Sequence, residues 1–141
     1  MARHKKTLIC TLLLVVLLLS VALPAAAASV KTVMYLPSLC GWASPAAITR
    51  SGNYYTLLAR NHSVYPYAGG TDNLTTVVCR VMDPSYQIVL TTENEYVLLE
   101  SATSNSVLEI KDGLLDYMSV RFQFRSVTHD AAETVIYYNG R

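Results

Sequence analysis

The segment Met118-Ser-Val-Arg-Phe-Gln-Phe-Arg125 decides the fold class of this chain. Its apolar side chains, Val120, Phe122 and Phe124, alternate with polar ones. Because successive side chains of a β-strand point to opposite faces, this alternation gives one apolar face and one polar face. The segment therefore predicts a half-buried strand of an antiparallel sheet, with one face on the core and the other toward solvent.

Short runs rich in Val, Ile, Tyr and Thr continue along the chain and predict further strands. Together with the opening segment, the predicted strands are Val30–Leu36, Asn53–Arg60, Leu74–Met82, Tyr86–Thr91, Glu95–Glu100, Val107–Lys111, Met118–Ser126 and Glu133–Tyr138. Turn-forming residues separate them at intervals of about ten residues between Asp83 and Asp112. We therefore expect an all-β fold, a single antiparallel β-sandwich of about seven to eight short strands.

Three segments refine this expectation. In Leu74–Met82 the second face is also partly apolar, through Val78 and Met82, which predicts a central strand. The C-terminal run Val135–Tyr138 is apolar on both faces, so we expect it to pair within a sheet. The segment Pro45–Ile48 is compatible with one short helical turn.

Residues 1–28 have the three-part layout of a secretory signal peptide. A basic start is followed by the apolar run Leu8–Leu23 and by Ala25–Ala28, which supply the small side chains that signal peptidase needs. The layout predicts cleavage between Ala28 and Ser29, although a cut one or two residues earlier fits nearly as well. The apolar run is shorter than the roughly 20 residues that cross a bilayer. We therefore expect one secreted domain, residues 29–141, with no membrane span after cleavage.

The charge balance argues against two classes of partner. The chain carries 11 Lys and Arg against 10 Asp and Glu. Three of the basic residues lie in the predicted signal peptide, so the secreted domain keeps eight against ten carboxylates, a net charge of −2. A nucleic-acid binder presents a concentrated basic face, and a membrane-lytic peptide is cationic. We expect neither activity.

The cysteines bear on both compartment and chemistry. Cys10 is removed with the signal peptide, which leaves Cys40 and Cys79 in the secreted domain. An even number of cysteines in an exported chain predicts a disulfide, here Cys40–Cys79. A metal site needs three or four ligands, and no Cys-x-x-Cys spacing supports one. A thiol nucleophile needs a histidine base, so Cys40 with a histidine from elsewhere in the chain stays open as an alternative.

No motif in the sequence predicts an enzyme. The nucleophile elbow, the zinc-protease motif, the phosphate-binding loop and the dinucleotide fingerprint are all missing. Glu93 and Glu95 flank a predicted turn, where carboxylates are usually solvated, and His129 lies in a loop without an identified partner. We predict no catalytic residue, no metal and no cofactor.

Aromatic residues in predicted loops are the best candidates for ligand contacts. Trp42, Tyr65 and Tyr67 lie outside the predicted strands, and Pro66 stiffens the loop between the two tyrosines. An aromatic ring on a rigid β-scaffold offers flat area at low entropic cost, which suits binding. The alternative is that these rings cover the core, Tyr65 and Tyr67 at its open end and Trp42 over the predicted disulfide.

The sequence thus predicts a small secreted, non-enzymatic binding domain whose partner is an extracellular protein or glycan. A secreted antagonist, either a bacteriocin-like toxin or an inhibitor of an extracellular enzyme, is one alternative. A small secreted hydrolase is another; it requires Cys40 to be a free thiol, or His62 and His129 to converge with a carboxylate. Asn61 and Asn73 match the N-glycosylation pattern.

Overall fold

The computed structural model describes residues 29–50, 56–114, 117 and 119–139. The predicted signal peptide, residues 1–28, and the cleavage site after Ala28 lie outside the described residues, apart from Ser29. The eight strands of the described part are β1 (Val30–Leu36), β2 (Ile48–Thr49), β3 (Thr56–Pro66), β4 (Thr76–Met82), β5 (Tyr96–Leu99), β6 (Ser106–Glu109), β7 (Ser119–Ser126) and β8 (Ala132–Asn139). In these ranges no helix is long and apolar enough to cross a membrane.

The strands form two four-stranded sheets, and every strand pair is antiparallel. The first sheet has the order β1-β8-β3-β6 and the second has the order β2-β7-β4-β5. The inward side chains of both sheets join in one apolar core. The all-β prediction is confirmed, and two sheets around one core form the expected sandwich.

The alternation in the opening segment places its side chains as predicted. Val120, Phe122 and Phe124 on β7 are fully buried. The rings of Phe122 and Phe124 stack with centroids 6.0 Å apart, and Phe122 lies 5.0 Å from the ring of Tyr138 on β8. These three rings join the two sheets at the centre of the core, where each contributes a large apolar area.

Both strands with two apolar faces are central. β4 lies between β7 and β5, and β8 lies between β1 and β3. Val78 and Met82, on the outward face of β4, are only 4% and 5% exposed. The predictions of a central Leu74–Met82 strand and of a paired C-terminal run are confirmed, with β4 beginning at Thr76.

The prediction of a strand over Tyr86–Thr91 is wrong, because a carboxylate turns this segment into a loop. The Asp83 carboxylate accepts hydrogen bonds from the backbone N–H groups of Ser85, Gln87 and Ile88, at 3.1, 2.7 and 2.6 Å. These donors therefore point at one side chain and cannot join a ladder. Only isolated bridges at Val89 and Thr91 remain of the predicted strand.

The segment before residue 50 also differs from its prediction. The short helical turn at Pro45–Ile48 does not form, since this segment runs along the edge of β7 instead. Ala43 pairs with Phe124, and Ile48 pairs with Val120 to give β2. Pairing with a neighbouring strand outweighs the weak local preference of a short segment for a helical turn.

Candidate binding faces

The structure divides the three predicted contact residues between the outer faces of the two sheets. Tyr65 and Tyr67 lie on the outer side of the first sheet, whereas Trp42 lies over the second. We call the first group the tyrosine face; it comprises Tyr35, Tyr65, Tyr67 and Glu133. We call the second group the arginine face; it comprises Trp42, Arg80, Arg121, Gln123 and Arg125.

Strand register builds the tyrosine face. Tyr35 on β1 and Tyr65 on β3 are both opposite Glu133 on β8, so the three residues form one row across three strands. Tyr65 therefore lies in a strand rather than in the predicted loop, because β3 continues to Pro66. Pro66 is the last residue of β3, and it has no backbone N–H with which to continue the pairing.

The tyrosine rings are accessible and held in place. Tyr35, Tyr65 and Tyr67 are 50%, 45% and 48% exposed, and none belongs to the core. The rings of Tyr35 and Tyr67 meet edge to face with centroids 5.1 Å apart. The Tyr65 hydroxyl donates a hydrogen bond to Glu133, and this bond raises the pKa of the tyrosine. The alternative prediction, in which the rings of Tyr65 and Tyr67 cover the core, does not match these exposures.

A tight turn after β3 sets the position of Tyr67. Its backbone N–H donates to the carbonyl of Ala131 at 2.8 Å, and its own carbonyl accepts from Gly70 at 3.2 Å. Gly69 has a φ of +87°, a conformation that side-chain-bearing residues rarely adopt. Sequence reasoning missed Tyr35, although its period-two spacing from Lys31 marks it as a residue of the outer face.

A second turn, after β1, sets the position of Trp42. Leu39 and Cys40 have positive φ values of 59° and 57°. A Cβ atom on Gly41 would lie 2.8 Å from the Cβ of Pro37, so only glycine fits there. The Ala43–Phe124 bridge then lays the chain beside β7, with the Trp42 ring over the outer face of the second sheet.

Three guanidinium groups meet two aromatic rings on the arginine face. The Arg80 guanidinium lies 4.0 Å from the centroid of the Trp42 ring, and that of Arg125 lies 5.1 Å from it. The Arg121 guanidinium lies 4.8 Å from the ring centroid of Tyr86, in the loop that Asp83 holds. Stacking of this kind is attractive and fixes the direction of each guanidinium plane.

Polar contacts fix the same side chains further. Gln123 accepts a hydrogen bond from Nε of Arg80 at 2.8 Å, and its amide nitrogen donates to the hydroxyl of Ser44 at 3.1 Å. Arg125 forms a salt bridge with Glu95 at 2.7 Å. That is the single salt bridge among the described residues, so none of their carboxylates lies within 4 Å of Arg80 or Arg121. Among the described residues, Arg80 and Arg121 therefore carry positive charge without a paired carboxylate.

The predicted Cys40–Cys79 disulfide is not formed; both residues are free thiols. Cys79 on β4 points into the core and is fully buried, and burial raises the pKa of its thiol. Cys40 lies in the turn after β1, where its thiol is 3.6 Å from the carbonyl oxygen of Thr128. The even count suggested a pair, but the fold directs the two side chains to different places, one into the core and one toward a loop.

The residues of the hydrolase alternative are only partly brought together. His62 packs edge to face on Tyr137 of β8, with centroids 6.0 Å apart, whereas His129 lies in the loop before β8. The carbonyl of His129 accepts from Leu39, which brings its loop beside Cys40. The Cys40 thiol nevertheless donates to a backbone carbonyl, which does not act as a base toward a thiol.

A pocket, the possible metal ligands and the two asparagines of the glycosylation pattern are the remaining features that bear on chemistry. A pocket of about 330 Å³ has neither histidine nor cysteine in its described lining, which is Thr56, Thr92, Glu109, Ile110 and Asp112. Within the described ranges, no group of three or more His, Cys, Asp or Glu residues is placed to hold a metal ion. The two glycosylation-pattern asparagines differ in access, since Asn61 is fully buried and Asn73 is exposed.

No family model matches the chain, and no curated protein or solved structure is significantly similar to it. Function is therefore inferred from the chemistry of the two faces.

Proposed function

We propose that the protein is a small non-enzymatic binding domain that acts outside the cell or at its surface, and that the tyrosine face contacts its ligand. One observation carries this proposal: Tyr35, Tyr65 and Tyr67 are half-exposed and yet fixed by neighbouring residues on a rigid sheet. The extracellular location rests on the signal-peptide layout of residues 1–28.

The physical argument concerns the cost of ordering a binding surface. A tyrosine side chain has two rotatable angles, so a ring already held by its neighbours loses little entropy when a ligand covers it. The Tyr35–Tyr67 contact and the Tyr65–Glu133 hydrogen bond supply this order before binding. The face is therefore organised in advance for contact.

Glu133 narrows the chemistry of the ligand. A carboxylate has about four acceptor sites, and the Tyr65 hydroxyl uses one of them. Acceptor oxygens beside exposed rings suit a neutral glycan, whose C–H surfaces lie on the rings while its hydroxyls donate to the carboxylate. A protein ligand with exposed apolar and hydroxyl side chains makes the same contacts.

The test compares a variant that loses two tyrosines of the tyrosine face with a control variant that loses one exposed tyrosine elsewhere. In Tyr35→Ala/Tyr67→Ala both rings of the edge-to-face pair are removed. Tyr86→Asn removes a comparably exposed tyrosine, 44% accessible, from the opposite side of the sandwich; asparagine tolerates its φ of 61°. The purified secreted domain is applied to an array of neutral glycans.

We expect the wild type and Tyr86→Asn to bind the same neutral glycans, which carry no anion for Arg121, and the double variant to bind none of them. The free energy of unfolding of each variant should differ from that of the wild type by less than about 1 kcal/mol, because the altered side chains are on the surface. Equal binding by the double variant and the wild type would refute the role of the tyrosine face. A loss of several kcal/mol in the double variant would show that the rings support the fold.

A further inference from the structure

The arginine face combines features that the tyrosine face lacks and that the proposed function does not use. Arg80 and Arg125 both lie against the ring of Trp42, at 4.0 and 5.1 Å from its centroid. Two guanidinium groups at one ring repel each other, and Glu95 pairs only with Arg125. The arrangement therefore gains stability from an anion placed beside Arg80.

Strand register extends this charge along the sheet. On the outer face, Val78 is opposite Arg125, Arg80 is opposite Gln123, and Met82 is opposite Arg121. Arg80 consequently lies between the two β7 arginines along the strand direction, with about 6–7 Å of strand on each side. The three guanidinium groups form a line of positive charge that alternates between β7 and β4.

The donors of this line remain largely unused. A guanidinium has five N–H donors. Within the described residues, Arg80 uses its Nε toward Gln123 and keeps both terminal nitrogens. Arg121 uses one terminal nitrogen toward the carbonyl of Pro45 at 3.4 Å, and its Nε is buried without a partner there. Because stacking on Trp42 and Tyr86 already fixes these side chains, an anion binds them with little further loss of entropy.

We propose that the arginine face is a second binding site, and that its ligand is an acidic polysaccharide, a chain of sugars bearing carboxylate or sulfate groups. The terminal nitrogens of Arg80 and those of Arg121 each hold one oxyanion, while Gln123, which is only 8% exposed, keeps Arg80 and Ser44 in place beneath the sugars. The site is on the opposite side of the sandwich from the tyrosine face, so evidence for or against ligand binding there does not depend on the proposed function.

A polysaccharide fits this face better than an anionic membrane does. Basic segments that bind membranes act through a fluid, diffuse layer of charge, for which fixed spacing has no advantage. Here each guanidinium is stacked and hydrogen-bonded in one direction, as a regular polymer with fixed charge spacing requires. The net charge of −2 over residues 29–141 also limits general attraction to polyanions, so binding has to come from this one face.

The experiment measures binding of the secreted domain to two probes, heparin as a sulfated chain and polygalacturonate as a carboxylated chain, at physiological salt. The test variant is Arg80→Gln/Arg121→Gln. The control is Arg60→Gln/Lys111→Gln, which makes the same change in net charge away from the face. We expect the wild type and the control to bind at least one probe, and the test variant to bind about tenfold more weakly or worse.

A second measurement uses the wild type alone, so its result does not depend on whether the variant folds. Trp42 is the only tryptophan of the chain, so its fluorescence reports on the arginine face alone. In the wild type we expect titration with the bound probe to change this emission, and added salt to reverse the change. Neutral dextran should have no effect.

Several outcomes would overturn the proposal. One is failure of the wild type to bind either polysaccharide. Another is an equal loss of binding in the test and control variants, which would indicate general charge attraction. Tryptophan emission that stays constant at saturating probe would place the ligand elsewhere, and binding only to vesicles of phosphatidylserine would make the ligand a lipid surface.

Discussion

The tyrosine face and the arginine face have the same construction and opposite chemistry. Each is the outer side of a four-stranded sheet, and on each a turn brings an aromatic residue beside the strands. Tyr67 lies beside Tyr35, whose partner across the sheet is Glu133, so the Tyr67 ring stays half-exposed near a hydrogen-bond acceptor. Under Trp42 the sheet contains Arg80 and Arg125, so cations cover the ring.

This difference shows what a loop aromatic contributes. A ring with aromatic and acidic neighbours presents its own surface to a ligand, whereas a ring covered by guanidinium groups orients those groups. Trp42 contacts the guanidinium groups of Arg80 and Arg125, so we expect it to orient them; its role as a ligand contact stays a prediction. The following changes test how far the two faces depend on each other, from the largest expected effect to the smallest.

Phe122→Ala should disable both faces together. Phe122 is fully buried and contacts Phe124 and Tyr138, so its loss leaves a cavity between the sheets that carry the two faces. We expect unfolding to require about 3–5 kcal/mol less free energy. Chemical denaturation monitored by Trp42 fluorescence measures this change. The milder Phe122→Leu should lose less, and a Phe122→Ala variant as stable as the wild type would place the core elsewhere.

Asp83→Asn should disturb the arginine face alone. Burial by itself would raise the pKa of Asp83, but hydrogen bonds from Ser85, Ile88 and Gln87 outweigh this and lower the pKa to about 2. Asparagine cannot accept all of these bonds, so we expect a loss of about 2 kcal/mol at neutral pH. The loop then holds Tyr86 less firmly against Arg121, and only the binding of acidic polysaccharide should weaken.

The pKa of Asp83 predicts how the stability difference between the wild type and Asp83→Asn changes with pH. The folded-state pKa of about 2 is below the ordinary value of 3.8, so the carboxylate stabilises the fold above pH 3.8 and ceases to do so as the pH falls through 2. The difference in stability between the wild type and Asp83→Asn should therefore shrink from pH 4 to pH 2. Denaturant midpoints at several pH values measure it, and a constant difference would contradict the role of the carboxylate.

Much of the fold was predictable because strand alternation is a local signal. The periods of β7, β4 and β8 gave the correct faces and the correct central strands, since burial on one or both sides selects the side chains directly. The strand predicted at Tyr86–Thr91 failed because the Asp83 carboxylate captures backbone donors, and nothing in its own residues reveals this. The first pair of β2, Ile48–Val120, depends on a neighbour far along the chain.

The site was less predictable than the fold. The position of Tyr65 and Tyr67 beside Pro66 indicates them as candidate contacts, whereas the register that joins Tyr35 to Glu133 is not a sequence property. The disulfide prediction rested on a count of cysteines, whereas pairing depends on where two side chains point. The arginine face escaped notice because its charges come from two strands that lie far apart in sequence, and a net charge hides a local cluster.

Of these substitutions, Glu95→Gln should change the stability least, and it should alter binding at the arginine face without altering binding at the tyrosine face. The Glu95–Arg125 salt bridge is partly exposed, with 41% and 22% of the two side chains accessible, so its loss should cost less than about 1 kcal/mol. The same change removes the one paired carboxylate from the arginine face and frees the Arg125 guanidinium for an external anion. We therefore expect heparin or polygalacturonate to bind more tightly and to require more salt for release, while binding at the tyrosine face stays unchanged. Weaker polysaccharide binding would mean that Glu95 orients Arg125 for the ligand instead of competing with it.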